Sequence, residues 1–487
     1  MKYIYTFPSK KIDIYIFVLC DQIQKKIKYI STKLNISSIP QKIMSDIEEA
    51  ESKNRYIEKT LYTDTCKVIL YIITDKQKCN NETIYRLFGE IGVKMRQLQT
   101  SQRILIHLCQ DSPLLLKNQI ISYILGYYKL TDFKSVPTLD KTITFFYHPL
   151  KKKKEIIQSS IYEATIQNEI RTLINTPANI LDSTTFYKYI RKNRFKDINI
   201  TCYSERQMQK MGCNLILAVN QGSMHKPYLV VLEYKNNPVP NRNIVMIGKG
   251  VMFDSGGYSI KHGDFSDMKN DMTGSAIVYG LFQLLSTFNV QGHFYGILPL
   301  VENMVDSNAI RPGDIIRAYN GMTVEITNTD AEGRLIMADA LAFSKQFNPY
   351  ICIDIATLTG QASSIFDHKS SIIMGNHNKY IQKMIQAGIE NNEKIWELPM
   401  WKEYIDATKS NIADIKNSSY ESKAGTIMAG AFLSHFVPSS SHWIHLDIAG
   451  VDNLKKNSSM RHYGASGEIM RTVFSFLQYF HKEVYTK

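Results

Sequence analysis

The chain of 487 residues lacks the features that would set it apart from ordinary globular proteins. Its seven cysteines (Cys20, Cys66, Cys79, Cys109, Cys202, Cys213 and Cys352) form an odd, scattered set without a CxxC pair, which points to reduced thiols. No run of about twenty apolar residues occurs, so no membrane-spanning helix is expected. The N-terminal stretch MKYIYTFPSKKIDIYIFVLC is interrupted by Asp13, and no small-residue cleavage site follows it. No signal peptide is therefore expected, and the protein is expected to be cytoplasmic and soluble. The 25 glycines and 14 prolines follow no collagen-like period, and no internal repeat is evident. What remains is 44% hydrophobic and 21% charged, a composition that suits a folded core. At about 150 residues per domain, two or three domains are expected.

Charge is placed unevenly. Residues 1–154 hold 26 Lys and Arg against 14 Asp and Glu, or +12, whereas residues 155–487 hold 32 against 31, or +1. This basic first third allows contact with nucleic acid or another polyanion, and equally suits a lysine-rich solvated surface. Lys151 to Lys154, after His148-Pro149, reads as a hydrated boundary or a helix start.

Periodicity divides the chain. Up to residue 154, short apolar runs such as Ile12 to Cys20 and Val68 to Ile73 mix with helical stretches such as Asp111 to Tyr128, which predicts a small α/β domain. From Glu155 to Ile174 apolar residues recur at helical spacing until the breaker Asn175-Thr176-Pro177. Beyond it, Tyr228 to Tyr234, Asn243 to Ile247, Val290 to Leu300 and Tyr350 to Ala356 read as buried strands. Asp267 to Phe288 and Ala465 to Phe480 read as helices. The alternation predicts a larger second domain, 155–487, with a mixed central sheet covered by helices.

Chemistry concentrates in three polar loops at strand ends, where open α/β sheets place their sites. They are GKGVMFDSGGYSIK (Gly248 to Lys261), DMKNDM (Asp267 to Met272) and NTDAEGR (Asn328 to Arg334). One such loop is often only a cap or a turn. The three together supply Asp254, Asp271, Asp330 and Glu332, whose mutual repulsion calls for counter-charge if they converge. Two divalent cations would cancel four carboxylates, and Zn, Mn or Mg suits oxygen ligands. Asp330 and Glu332, two apart, would point the same way in an extended segment.

These segments resemble the signatures of the leucyl aminopeptidases, also called cytosol aminopeptidases, which are dinuclear-metal exopeptidases. The resemblance continues through INTPANIL, AVNQGS, LVVLEY, PLVENM, DIATLTG, ADIKNS and HLDIAG, covering roughly residues 155–487; no such match is made for the first 150. It implies that Lys249, Asp254, Asp271, Asp330 and Glu332 bind two metal ions per subunit, Mn or Zn, with Asp254 and Glu332 touching both. It implies that a metal-bridging water attacks the first peptide carbonyl while one ion holds the free α-amine, and that Lys261 steadies the oxyanion. Arg334 resembles the arginine that binds bicarbonate as general base. Met268, Thr357, Leu358, Gly360 and Ala449 resemble the pocket for the N-terminal side chain. A homohexamer acting on peptides with a free N-terminus is implied as well.

Two departures stand out. Asp452 replaces a methionine found in some relatives three residues past the HLDIAG alanine, and in the pocket it would favour basic N-terminal residues. GASGEIM (Gly464 to Met470) replaces a glycine-rich segment ending in Arg-Pro, which bears on loop geometry. The competing expectation is the same fold binding nucleic acid through residues 1–154. An unrelated two-metal phosphoesterase ranks lower, because the three loops contain no histidine except the adjacent His262.

Overall fold

The structure, a computed structural model, describes residues 2–4, 12–19, 30, 32, 57–62, 67–73, 80–98, 103–108, 112–130, 133, 135, 142–147, 151–193, 195, 197–419 and 423–485. Cys20, Cys66, Cys79, Cys109 and His148-Pro149 lie outside these residues, while Cys202, Cys213 and Cys352 are free thiols. The chain forms two compact units: Met1–Thr165 with Asn457–His462, and Ile166–Lys456 with Tyr463–Lys487. The division falls inside one helix, Lys151–Asn175.

The first unit is built on strands β1 (Lys2–Ile4), β2 (Ile14–Leu19), β3 (Ile57–Tyr62), β4 (Lys67–Ile72), β5 (Arg103–Leu108) and β6 (Thr142–Tyr147), in the order β1-β6-β5-β2-β4-β3. All neighbours are parallel except β3, which runs antiparallel to β4. The β2 sequence IYIFVL is buried at every position, as expected of a central parallel strand covered on both faces. Helix α1 (Asn81–Gln97) starts where the Asn80 side chain accepts from the Thr83 N–H at 2.9 Å, and α2 (Pro113–Tyr127) has proline in its first turn.

Helix α3 (Lys151–Asn175) leads from the first unit into the second and ends at the expected breaker. In the second unit the strands are β7 (Ile198–Ser204), β8 (Tyr228–Asn236), β9 (Asn243–Gly248), β10 (Gly250–Asp254), β11 (Gly292–Asn303), β12 (Ile315–Arg317), β13 (Thr323–Glu325), β14 (Pro349–Ala356), β15 (Ser371–Gly375), β16 (Ile395–Glu397), β17 (Ile415–Lys416) and β18 (His442–Asp447). The main sheet runs β16-β15-β18-β14-β9-β11-β8-β7, and β10 pairs with the second half of β11; β12, β13 and β17 form a small separate sheet. Its centre, β18-β14-β9-β11, is parallel, whereas β8, β7 and β15 introduce antiparallel neighbours. The sheet is therefore mixed, as the sequence predicts.

Alternation along the strands sends side chains to two cores. Ile244 and Met246 of β9, with Ile351, Ile353 and Ile355 of β14, join one core. Val245, Ile247 and Cys352 join the other. Helices α4 (Asn214–Asn220) and α6 (Glu332–Phe343) cover the second core, and α5 (Thr273–Thr287) and α8 (Met470–Tyr485) cover the first. A short helix, α7 (Gly360–Phe366), follows β14.

Three local expectations are corrected. The predicted helix from Asp267 is a 3-10 turn, Ser266–Asn270, followed by a break at Asp271 and Met272 before α5 begins. The Asp271 carbonyl accepts from the Val251 N–H of β10 at 3.2 Å, so it is drawn out of the helical ladder. The C-terminal helix starts at Met470, not Ala465, because Gly464 and Ala465 pair with Asn453 and Leu454 and because Gly467 (φ 61°) and Ile469 (φ 76°) take left-handed backbone. Asp330 and Glu332 are not in an extended segment: Asp330 lies in a turn and Glu332 opens α6.

Candidate metal centre

The parallel strands end at one place. Lys249 joins β9 to β10, Asp254 closes β10, Thr357 to Gly360 follow β14, and Ala449 follows β18. The loop after Asp254 turns back through Gly256 (φ 88°) and Gly257 (φ 63°), left-handed positions that favour glycine, and so returns Lys261 to Asp254. All twelve residues singled out from the sequence as ligands, catalytic groups or pocket line a single cavity of about 590 Å³, and Asp452 lines it with them.

Charge is dense there. Asp254, Asp330 and Glu332 each bring a carboxylate oxygen within 4.8 Å of the others. The Lys249 ammonium lies 2.9 Å from Asp271 Oδ1 and 3.0 Å from Glu332 Oε1, and donates to the Thr357 carbonyl at 2.8 Å. Lys261 Nζ is 2.7 Å from Asp254 Oδ2 and 2.6 Å from Asp330 Oδ1. Burial pushes the Asp254, Asp271 and Asp330 carboxyls above the usual range, and repulsion from Glu332 adds to it. Burial acts the same way on Glu332, but Lys249 and Lys261 outweigh it and hold that carboxyl low. Burial would lower the two lysines, and the surrounding carboxylates outweigh it to raise both.

The residues fit divalent ions. Asp271 Oδ2 and Glu332 Oε2 are buried without a hydrogen-bond partner. A buried carboxylate oxygen left bare is costly, and a hard cation among hard oxygen donors removes that cost. The other groups of the site are fixed by the fold. Asp254 Oδ1 accepts from the Gly256 N–H at 2.9 Å and from Asn303 Nδ2 at 2.8 Å. Thr357 Oγ1 donates to Asp271 Oδ1 at 2.8 Å. Arg334 donates from Nη1 to the Asn417 carbonyl at 2.7 Å while its Nε has no partner, and burial lowers its pKa to about 10.

Sequence reasoning passed over two supports. Asn303, in PLVENM, ends β11 and grips Asp254. Asp447, in HLDIAG, accepts from the Leu358 N–H (3.1 Å), Thr359 Oγ1 (2.7 Å) and the Ala449 N–H (3.2 Å), and thereby ties two pocket segments together. Both lay inside noted segments, but their partners are remote in sequence.

Fold and site together define an α/β protein with a carboxylate centre made for divalent cations at the ends of its parallel strands. The family model described as "Cytosol aminopeptidase family, catalytic domain" matches residues 168–474. A probable cytosol aminopeptidase of Hamiltonella defensa is 36% identical over 391 residues, 79% of this chain and 75% of the relative. One from Geobacter sp. is 33% identical over 408 residues, 81% of this chain and 82% of the relative. Among solved structures, the bottromycin maturation enzyme BotP in complex with Mn superposes with a TM-score of 0.82 at 24% identity, covering 97% of this chain and 100% of that one; this likeness shows the fold. The chain belongs to the cytosol aminopeptidase family and is a peptide hydrolase of the leucyl aminopeptidase type. The family is metal-dependent. Among the described residues no helix is long and apolar enough to cross a membrane.

Proposed function

We propose that this chain removes the N-terminal residue from peptides with a free α-amine, using two divalent ions, manganese or zinc, held by Lys249, Asp254, Asp271, Asp330 and Glu332. The observation that carries the proposal is the pair of bare, buried oxygens, Asp271 Oδ2 and Glu332 Oε2, within a carboxylate group that shares its cavity with Met268, Thr357 and Leu358. When bound, the ions supply Lewis acidity and bring the pKa of water toward neutrality.

The chain's own residues supply position and charge. Lys261, kept protonated by Asp254 and Asp330 and 21% exposed at its side chain, can donate to the scissile carbonyl oxygen and offset the negative charge that develops there. Lys249 can serve as a ligand only as the neutral amine, a state favoured by neighbouring cations and opposed by its present carboxylate partners. Arg334, with its Nε free, is the proposed seat of a bicarbonate general base. Thr357, Leu358, Gly360, Met268 and Ala449 form the proposed side-chain pocket, and nothing lies within 4 Å of where a Gly360 Cβ would be.

A cytoplasmic homohexamer with residues 1–154 as a separate basic domain completes the reading. The nucleic-acid alternative has only the charge of that region in its favour. The test compares a Leu-arylamide with its N-acetylated twin, with Mn or Zn and then with chelator. Turnover of the free amine alone, abolished by chelator, is expected. Equal turnover of the acetylated substrate, or full activity in chelator, would sink the proposal.

A further inference from the structure

Apart from the carboxylates around the two lysines, the cavity wall carries a second acidic feature, Asp452. The Ile448 carbonyl accepts from the Val451 N–H at 2.9 Å and from the Asp452 N–H at 3.0 Å, closing one helical turn. Ala449 and Asp452, three apart, therefore share a face of that turn, and both line the cavity. Ser466 N–H holds the Asp452 carbonyl at 2.8 Å, so the turn is anchored on its other side. Among the described residues the Asp452 carboxylate makes no ion pair; burial raises its pKa, and attraction to Lys455 offsets this only in part. The cation that attracts it, Lys455, is engaged by Asp267, its Nζ 2.5 Å from Oδ2. That end of the cavity thus offers two carboxylates to one lysine, alongside the polar side chains of Asn453 and Ser363.

Asp452 is half-buried, and a carboxylate partly withdrawn from water without an ion pair is costly, so a cation brought to it recovers part of that cost. We propose that Asp452 makes the enzyme selective for peptides whose N-terminal side chain is cationic, lysine or arginine, by pairing with the ammonium or guanidinium at the end of the pocket. This rests on the aminopeptidase reading: it assigns the substrate class of that same site. A leucine side chain leaves the carboxyl bare, so selectivity comes from the unpaired acid as much as from the new pair.

The experiment uses the full-length, metal-loaded enzyme with Arg-, Lys- and Leu-arylamides, in the wild type and in Asp452→Asn and Asp452→Lys. The expected result is a wild-type kcat/KM ratio of Arg or Lys to Leu above one. That ratio falls roughly tenfold or more in Asp452→Asn, as for loss of one charged hydrogen bond. In Asp452→Lys it falls further and turnover of a Glu-arylamide appears. The ratio is read within each variant, so a general loss of activity does not imitate the effect, and thermal melts confirm folding. Turnover of Leu with no preference for Arg or Lys overturns the proposal alone, as does a ratio that Asp452→Asn leaves unchanged. No turnover of any free-amine substrate overturns the aminopeptidase reading and this one with it.

Discussion

Asp447 is absent from the cavity wall, yet its two oxygens collect donors from Leu358, Thr359 and Ala449, segments that follow different strands. Removing the carboxylate frees the loop whose Thr357 carbonyl and hydroxyl hold Lys249 and Asp271. Asp447→Ala is expected to lower kcat/KM for a Leu-arylamide by about 10–100-fold, the range typical of groups that orient ligands. Asp447→Asn keeps one acceptor oxygen for the two N–H groups and should recover much of this; equal loss in both variants would show that the charge, not the geometry, matters. Asp330→Asn tests the centre itself. It removes one of three mutually close carboxylates and a partner of Lys261, so bound metal measured by elemental analysis should fall from the proposed two ions per chain toward one. Unchanged stoichiometry would remove Asp330 from the ligand set.

At the level of elements, α6 comes so near Lys249 that a Cβ at Gly333 would lie 2.4 Å from both Cε and Nζ. Gly333→Ala must push the lysine away from Asp271 and Glu332, and activity should drop by orders of magnitude more than the melting temperature suggests. The same helix carries Asp339, which accepts from Leu215 and Ile216 at the start of α4 (2.8 and 3.2 Å) and from Tyr319 (2.8 Å). Burial pushes this carboxyl up to about 7, with the three N–H donors pulling partly back. Its folded pKa exceeds the unfolded value of about 3.9, so the folded state holds the extra proton in between. Stability from this group is therefore full below about pH 4 and lost as pH rises through about 7. Denaturant unfolding at pH 5 and pH 8 should show wild type losing stability relative to Asp339→Asn over that interval; parallel behaviour would mean that the carboxyl titrates normally. Strand positions were legible in advance because β8, β9, β11 and β14 are rich in apolar, largely β-branched or aromatic residues. The break before α5 was not, since apolar residues keep helical spacing across Met272 and long-range bonds interrupt the ladder, from the Val251 N–H to the Asp271 carbonyl and from the Ser275 N–H to the Lys249 carbonyl. The site was legible because its acids cluster in three short loops. Asn303 and Asp447 were not, because their function lies in hydrogen bonds to residues far along the chain.

Across the whole molecule, charge is the quantity that separates the two halves of the reading. The +12 carried by residues 1–154 would, if it served nucleic acid, give binding that falls steeply with salt and persists in Asp330→Asn. The aminopeptidase reading expects no such binding at low salt. In the second unit the balance is local: four carboxylates face two lysines, which leaves two negative charges uncompensated when all four acids are ionised and before Arg334 is counted. Each of the four acids has a lysine partner, so chelated protein is expected to remain folded. Ions that bind only the folded state must then add stability, about 2.7 kcal/mol for a site saturated at a hundredfold excess over Kd. Thermal melts in Mn or Zn should lie above those in chelator, and the increment should shrink in Asp254→Asn, which removes a carboxylate that both Asn303 and Gly256 hold in place. Coincident melts with and without metal in the wild type would mean that the two lysines, rather than cations, are the permanent partners of these acids.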